Sequence, residues 1–153
     1  MPLPFHMFIK GVTEKACEMK GREDSVLCQE IKYKVSKPLS EAGERTHSPL
    51  TITKAVDRAS PLLYKACCLN EILEEAIFKF YRINPAGNEE HFYTIKLGNA
   101  NVVSVEKWMP NALDKSKEDY PCMENVSFTF GKIIWTWEPD GIEHEDVWEN
   151  RGV

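Results

Sequence analysis

Apolar and charged side chains alternate one by one from Glu30 to Val35: Ile31, Tyr33 and Val35 are apolar, while Glu30, Lys32 and Lys34 are charged. Only an extended backbone puts every second side chain on the same face, so this stretch is expected to be a strand with one buried and one wetted side. The same period, with β-branched and aromatic residues, predicts strands over 50–53, 76–83, 92–97 and 102–105. A turn at 84–88 (NPAGN) joins the second and third of these, and a pause at Gly98-Asn99 precedes the fourth, which suits an antiparallel meander. The polar run between Pro110 and Pro121 reads as an exposed connection. Strands resume at 126–130 and 133–137 around a bulge or bend at Gly131, Pro139-Asp140-Gly141 turns the chain, and 144–148 adds a last short strand.

One helix interrupts this pattern, from about 61 to 69. Ser60 is its expected N-cap, Pro61 sits where a missing N–H costs nothing, and Asn70 suits a left-handed C-terminal residue. Leu62, Ala66 and Leu69 are expected on its packed face. The fold class is therefore mainly β, with one short α-helix laid against a barrel or sandwich.

With 153 residues, no repeat and no Gly/Ser/Pro linker, a single domain over 1–153 is expected. A net charge of −5 opposes a phosphate backbone, so nucleic acid is not an expected partner. Lys65, Lys79, Lys96 and Lys132 interrupt every apolar run before it reaches the ~20 residues of a spanning helix, so no membrane insertion is expected. The opening residues lack a charged leader, an apolar h-region and a small-residue cleavage site. The chain is expected either to stay in the cytoplasm or to leave by a route that reads something other than a signal peptide. The five cysteines include the neighbours Cys67 and Cys68 and form no C-x-x-C, which fits reduced thiols better than a disulfide lattice or zinc knuckle.

No constellation of catalytic residues emerges. His47, His91 and His144 lie far apart without metal-ligand spacing and are expected on loops or strand surfaces; Glu143-His144-Glu145-Asp146 reads as a solvated acidic tail whose side chains alternate between faces. Ser48, Ser60, Ser104 and Ser127 have no nucleophile elbow, and the glycine-rich phosphate loops are missing. No catalytic residue, metal or cofactor is assigned. The aromatic residues from Phe78 to Trp137 are read as core packing, with Phe80 among the buried members whose truncation would cost ~3–5 kcal/mol.

The helix segment ASPLLYKA (59–66), the stretches at 78–84, 90–97 and 102–105, FTFGKIIWTW (128–137) and the closing Asp146-Val147-Trp148 together resemble the Hcp family, the tube protein of the bacterial type VI secretion system. The likeness runs from about Arg45 to Trp148. Earlier in the chain the matching pieces are strands at 5–10 and 26–35 and the entry Arg45-Thr46-His47, while 11–23 is short and the loop at 36–46 is a few residues shorter than usual.

The resemblance implies a small β-barrel of two antiparallel sheets with a flanking helix, whose protomers join head to tail as homohexameric rings. The rings would stack into a tube that carries effector proteins in its lumen and works with the spike, sheath and baseplate proteins. It would be made in the cytoplasm and secreted without a signal peptide. Glu30, Lys32 and Lys34 are the implied lumen- or cargo-facing residues, and Glu41, Arg45 and His47 belong to the implied ring-stacking loop. The alternative is the same barrel as a monomer binding a small ligand inside; it requires an interior cavity with converging polar groups.

Overall fold

Strand β5 (Leu50–Ala55) displays the two-residue period directly: Leu50, Ile52 and Lys54 are buried, and Thr51, Thr53 and Ala55 are half-exposed. The computed structural model describes residues 2–39 and 43–148. Besides β5 these residues form β1 (Phe5–Phe8), β2 (Val26–Lys32), β3 (Val35–Ser36), β4 (Thr46–His47), α1 (Ser60–Cys68), β6 (Ile72–Ile83), β7 (Glu89–Trp108), β8 (Met123–Thr129), β9 (Lys132–Trp137) and β10 (Ile142–Val147). Six strands in the order β7-β6-β1-β2-β5-β8 close into an antiparallel barrel through the β7–β8 pairing, and the β9–β10 hairpin extends from β7. The expected small, mainly β barrel with one helix is thus present.

Closure depends on β7, which does not pause at Gly98-Asn99 but runs unbroken for 20 residues. Its first half pairs with β6 on one side and β9 on the other, and its second half pairs with β8. A strand serving two partners on one side must bend between them. Asn99 takes a positive φ of 49° there, and Val103 is the extra residue of a bulge between Val102 and Ser104. Gly98 faces Lys132 across the ladder, and a Cβ at this glycine would meet Lys132 Cε at 3.0 Å. The amide of Gly131 donates to the Gly98 carbonyl at 3.0 Å, fixing the bend from β8 into β9.

The interior is filled by Met7, Val26, Ile52, Phe78, Leu97, Val126 and Phe128, all without exposed surface. Phe80 is half-buried rather than fully inside and stacks on Phe5 with centroids 4.7 Å apart; Phe5, Phe78, Phe128 and Phe130 are the buried phenylalanines. Helix α1 packs on β7 through Leu63 and Ala66, with Ala59 just ahead of it also buried. Of the three residues expected on the packed face Ala66 is buried, while Leu62 and Leu69 are exposed, because the face runs through Ala59, Leu63 and Ala66. The cap is also shifted. Ala59 holds the N-cap position without a side-chain hydrogen bond, and Ser60 is the first helical residue, its hydroxyl directed into the barrel. Asn70 follows the helix with φ 51°, in the left-handed region as expected.

The first predicted strand is split. β2 ends at Lys32, and Tyr33 and Lys34 link it to the two-residue β3–β4 ladder, where Val35 is 41% exposed rather than buried. The backbone of Lys34 turns toward Ser48, its N–H donating to Ser48 Oγ at 2.7 Å and its carbonyl accepting from Ser48 N at 2.9 Å.

Candidate functional site

Register builds one broad polar face on the outside of β2, β5, β8 and β7. Glu30 lies opposite Thr53, Thr53 opposite Asn125, and Asn125 opposite Glu106. The next outward row runs Lys32, Thr51, Ser127, Ser104. Between them lies Ile31, Ile52, Val126, Val105, which faces the core. The period of two thus separates an apolar wall from a polar one across four strands.

The polar wall is largely satisfied within itself. Thr51 and Ser127 share a hydrogen bond at 2.8 Å, and Thr53 Oγ1 and Trp108 Nε1 both donate to Asn125 Oδ1, at 3.0 and 3.2 Å. The uncharged middle of the face is thus occupied with itself, while Glu30, Lys32 and Glu106 keep exposed charges toward solvent. Two of the three expected lumen residues, Glu30 and Lys32, are exposed on it; Lys34 lies past the end of β2 in the link to β3.

A second cluster sits at the rim where the β3–β4 ladder meets β10. Arg45 donates through Nε to Asp146 Oδ2 at 3.1 Å and through Nη2 to Asp146 Oδ1 at 3.0 Å, and Nη2 also reaches the Val147 carbonyl at 2.8 Å. His47 Nε2 is 2.6 Å from Asp146 Oδ2. The Arg45 hydrogen bonds, reinforced by His47, hold the Asp146 carboxyl below the usual carboxylate range, against a smaller opposing effect of burial. His47 is buried, not on a surface: its ring lies 4.7 Å from that of Trp148 and 5.3 Å from that of Phe130. Glu41 lies outside the described residues.

The acidic tail divides between faces. Asp146 turns to Arg45 and His47, and His144 stacks on Trp135 at 5.9 Å. Glu143 accepts from Thr136 Oγ1 at 3.0 Å, and Glu145 is 3.5 Å from Lys132 Nζ. Thr94 and His91 share a hydrogen bond of 2.7 Å.

Two further clusters had no motif to announce them. Inside the barrel, Lys54 pairs with Glu124, lies 3.0 Å from Asp57 Oδ1 and donates to Ser60 Oγ at 3.1 Å; Ser60 in turn donates to Glu124 Oε1 at 2.6 Å. This network fastens the start of α1 to the barrel wall. The neighbouring Cys28 thiol is buried, and burial raises its pKa strongly, keeping it protonated. At the opposite side of the sheet, Arg22 pairs with Glu89, stacks 3.6 Å over the Tyr81 ring and donates to His6 Nε2 at 3.2 Å. Because Nε2 accepts from Arg22 the ring is neutral, and its Nδ1 donates to Ser25 Oγ at 2.9 Å; burial first, and Arg22 second, lower its pKa to about 4.

The barrel, its packed interior and its exposed polar wall can be compared with known proteins. The profile of the family described as "Type VI secretion system effector, Hcp" matches residues 7–137. The "Major exported protein" of Pseudomonas aeruginosa is 36% identical over 136 residues, covering 86% of this chain and 79% of that protein. A crystal structure of an Hcp protein superimposes with a TM-score of 0.89 at 28% identity, covering 95% of this chain and 97% of the other. The secreted protein Hcp3 from Pseudomonas aeruginosa superimposes with a TM-score of 0.81 at 33% identity over the same shares of the two chains. By sequence and by fold together, this chain belongs to the Hcp family of type VI secretion proteins.

Proposed function

We propose that this chain is the structural subunit of a type VI inner tube. Copies close head to tail into hexameric rings, the rings stack, and effector proteins travel in the lumen with no chemical turnover. The observation that supports this most is the division of labour across the sheet: the inside of the barrel is filled, and its broad outer face over β2, β5, β8 and β7 is polar, with the uncharged middle bonded to itself. Such a wall suits a conduit, because weak contacts hold cargo without trapping it. Glu30 and Lys32 supply its charged margin, with Lys34 beside it.

The β9–β10 hairpin leaves the far edge of β10 unpaired among the described residues, and head-to-tail contact in a ring covers such an edge. Spike, sheath and baseplate proteins are the partners of the assembled tube. The chain is made in the cytoplasm and leaves through this apparatus. A ligand-binding barrel needs an interior cavity, whereas the buried Lys54 and Glu124 here are paired with each other and surrounded by packed apolar side chains.

The test is the absolute mass of the native protein by light scattering across a dilution series, with negative-stain images of the same samples. A sixfold mass with annular particles is expected. A monomer at every concentration would overturn the ring.

A further inference from the structure

We infer that Asp146 is the positioning residue of the ring-stacking loop: it holds Arg45 and His47 within their own chain, so these two residues aim the loop rather than touch the next ring. The inference rests on the tube reading for what the loop does, but the clamp itself is a property of one protomer.

The two legs of the loop, 33–39 and 43–48, are joined to each other at their base, by the Lys34–Ser48 bonds and by the ladder of Val35 with His47 and Ser36 with Thr46. These bonds hold the legs to one another, but a two-residue ladder with an exposed side does not by itself fix their direction against the barrel. Asp146 supplies what the ladder lacks. Its carboxylate accepts two bonds from Arg45 in a fork and a third from His47, and the next carbonyl, that of Val147, takes a fourth. All four run from the returning leg to one strand of the β9–β10 hairpin. Among the described residues His47 Nδ1 is buried without a partner, so Asp146 is the polar anchor of that ring, while Trp148 and Phe130 fix its plane.

Farther out, the legs brace one another. A Cβ at Gly43 would sit 2.6 Å from Pro38 Cδ, so the glycine backbone lies directly against the proline ring. Beyond that brace Leu39 is fully exposed, with a relative accessibility of 107%. Fixed at the base and braced at Pro38 and Gly43, the described legs carry the direction set at Asp146 as far as Leu39. Arg45 and His47 are both engaged inside the chain, which leaves Leu39, among the described residues of the loop, to meet a neighbouring ring.

The test compares wild type with Asp146→Asn, which keeps the side-chain shape and removes the charge, and with Arg45→Gln, which removes the fork. Hydrogen exchange by mass spectrometry is read on peptides from 33–39 and 43–48 and on peptides from β5 and β8. The mass of the particles and their end-to-end stacking are measured on the same samples. In each variant the two legs are expected to exchange about tenfold faster, and stacking to weaken about tenfold, the size of a lost charge-assisted bond. Barrel peptides and ring mass stay unchanged. Asp146→Glu, which restores a carboxylate, recovers most of the protection. The double variant exchanges more slowly than the two single effects added together, because both substitutions remove the same fork and differ only in the Arg45–Val147 and His47–Asp146 bonds.

Unchanged exchange of the legs in Asp146→Asn would overturn the clamp. Loosened legs with undiminished stacking would overturn its role in aiming the loop. Absence of rings in the wild type would overturn the tube reading and the stacking role with it, while the exchange data would still decide whether Asp146 holds the legs.

Discussion

Two ion-paired clusters in this protein use similar chemistry in opposite surroundings. Lys54 and Glu124 meet inside the barrel with neither side chain exposed, whereas Arg45 and Asp146 meet at the rim with 40% and 22% of their side chains exposed. In the interior, each charge has given up its hydration, so the pair is needed mainly because either partner alone would be intolerable. At the rim, water shares the solvation, and the bonds contribute geometry more than stability. Burial, rather than the number of bonds, therefore separates a group that the fold depends on from one that positions a segment.

The sharpest way to break this comparison is Glu124→Ala. It leaves the Lys54 ammonium buried and is expected to cost ~3–5 kcal/mol, toward the lower end because Asp57 remains 3.0 Å away. Urea unfolding at fixed protein concentration reads the change, since self-assembly of the proposed kind would make stability concentration-dependent. The double variant Lys54→Met/Glu124→Leu is expected to return within ~1 kcal/mol of wild type or to exceed it. A single substitution costing no more than the double would show that burial does not govern this pair.

Acid provides the next test, through His6. An unfolded histidine takes a proton near pH 6.5, but in the folded protein His6 takes one only at about 4. Between these values the unfolded chain binds more protons, so stability falls as pH drops through the window, by on the order of 3 kcal/mol at most, and is insensitive to this group above it. His91, whose pKa is also lowered by burial, adds to the slope in the same direction. Asp146 behaves oppositely in position: its pKa is depressed, so its contribution is complete above the ordinary carboxylate value and is lost only as pH falls below that range. Unfolding measured from pH 6.5 to 4 therefore probes His6 while Asp146 keeps its charge. His6→Gln is expected to remove most of the slope; an unaltered slope would mean that His6 titrates alike in both states.

The difference between the clusters also explains what the sequence disclosed. Alternation located β2, β5, β6 and β8 to within a few residues and β7 in two pieces, because a period of two is a property of each strand alone; β1 came only from the family resemblance. Alternation held the clue to the buried pair as well: Lys54 is in phase with Leu50 and Ile52, and Glu124 with Val126 and Phe128, which puts both charges on the core side. Their partnership was invisible because it joins residues 70 positions apart. The β7 bend was missed for a related reason. Gly98-Asn99 reads locally as a break, yet ladders to β6, β8 and β9 carry the strand through it. Val35 and His47 were assigned to the wrong environments because the link at Tyr33-Lys34 ends the alternation before Val35, and the aromatic side chains that enclose His47 come from 130 and 148.

The rim substitution sharpens the comparison from the other side. Asp146→Asn is expected to lower folding stability by only about 1 kcal/mol, since its carboxylate is partly solvated and the Arg45 head can turn to water. Thermal unfolding beside the interior variant on the same instrument settles the order. A cost approaching that of Glu124→Ala would make the rim cluster part of the fold's foundation and not a device for aiming a loop.

The smallest effect on folding is expected where function is expected to concentrate. Lys32 is exposed on the polar wall opposite Thr51, with Glu30 two residues away on the same face. Lys32→Glu removes no core contact and should change stability by less than about 0.5 kcal/mol. It does reverse the one positive charge in the two outward rows and leaves them wholly acidic where they are charged. In a ring that reversal is repeated by symmetry around the lumen, so a change too weak to alter one protomer acts on cargo from all sides at once. Retention of a small acidic protein by the assembled rings, measured by co-sedimentation at low salt, should fall relative to wild type, and retention of a small basic one should rise. The difference should fade as salt is raised. Equal retention of both probes at low salt would put this strand face outside the channel, and would leave the polar wall as nothing more than the solvated side of a barrel.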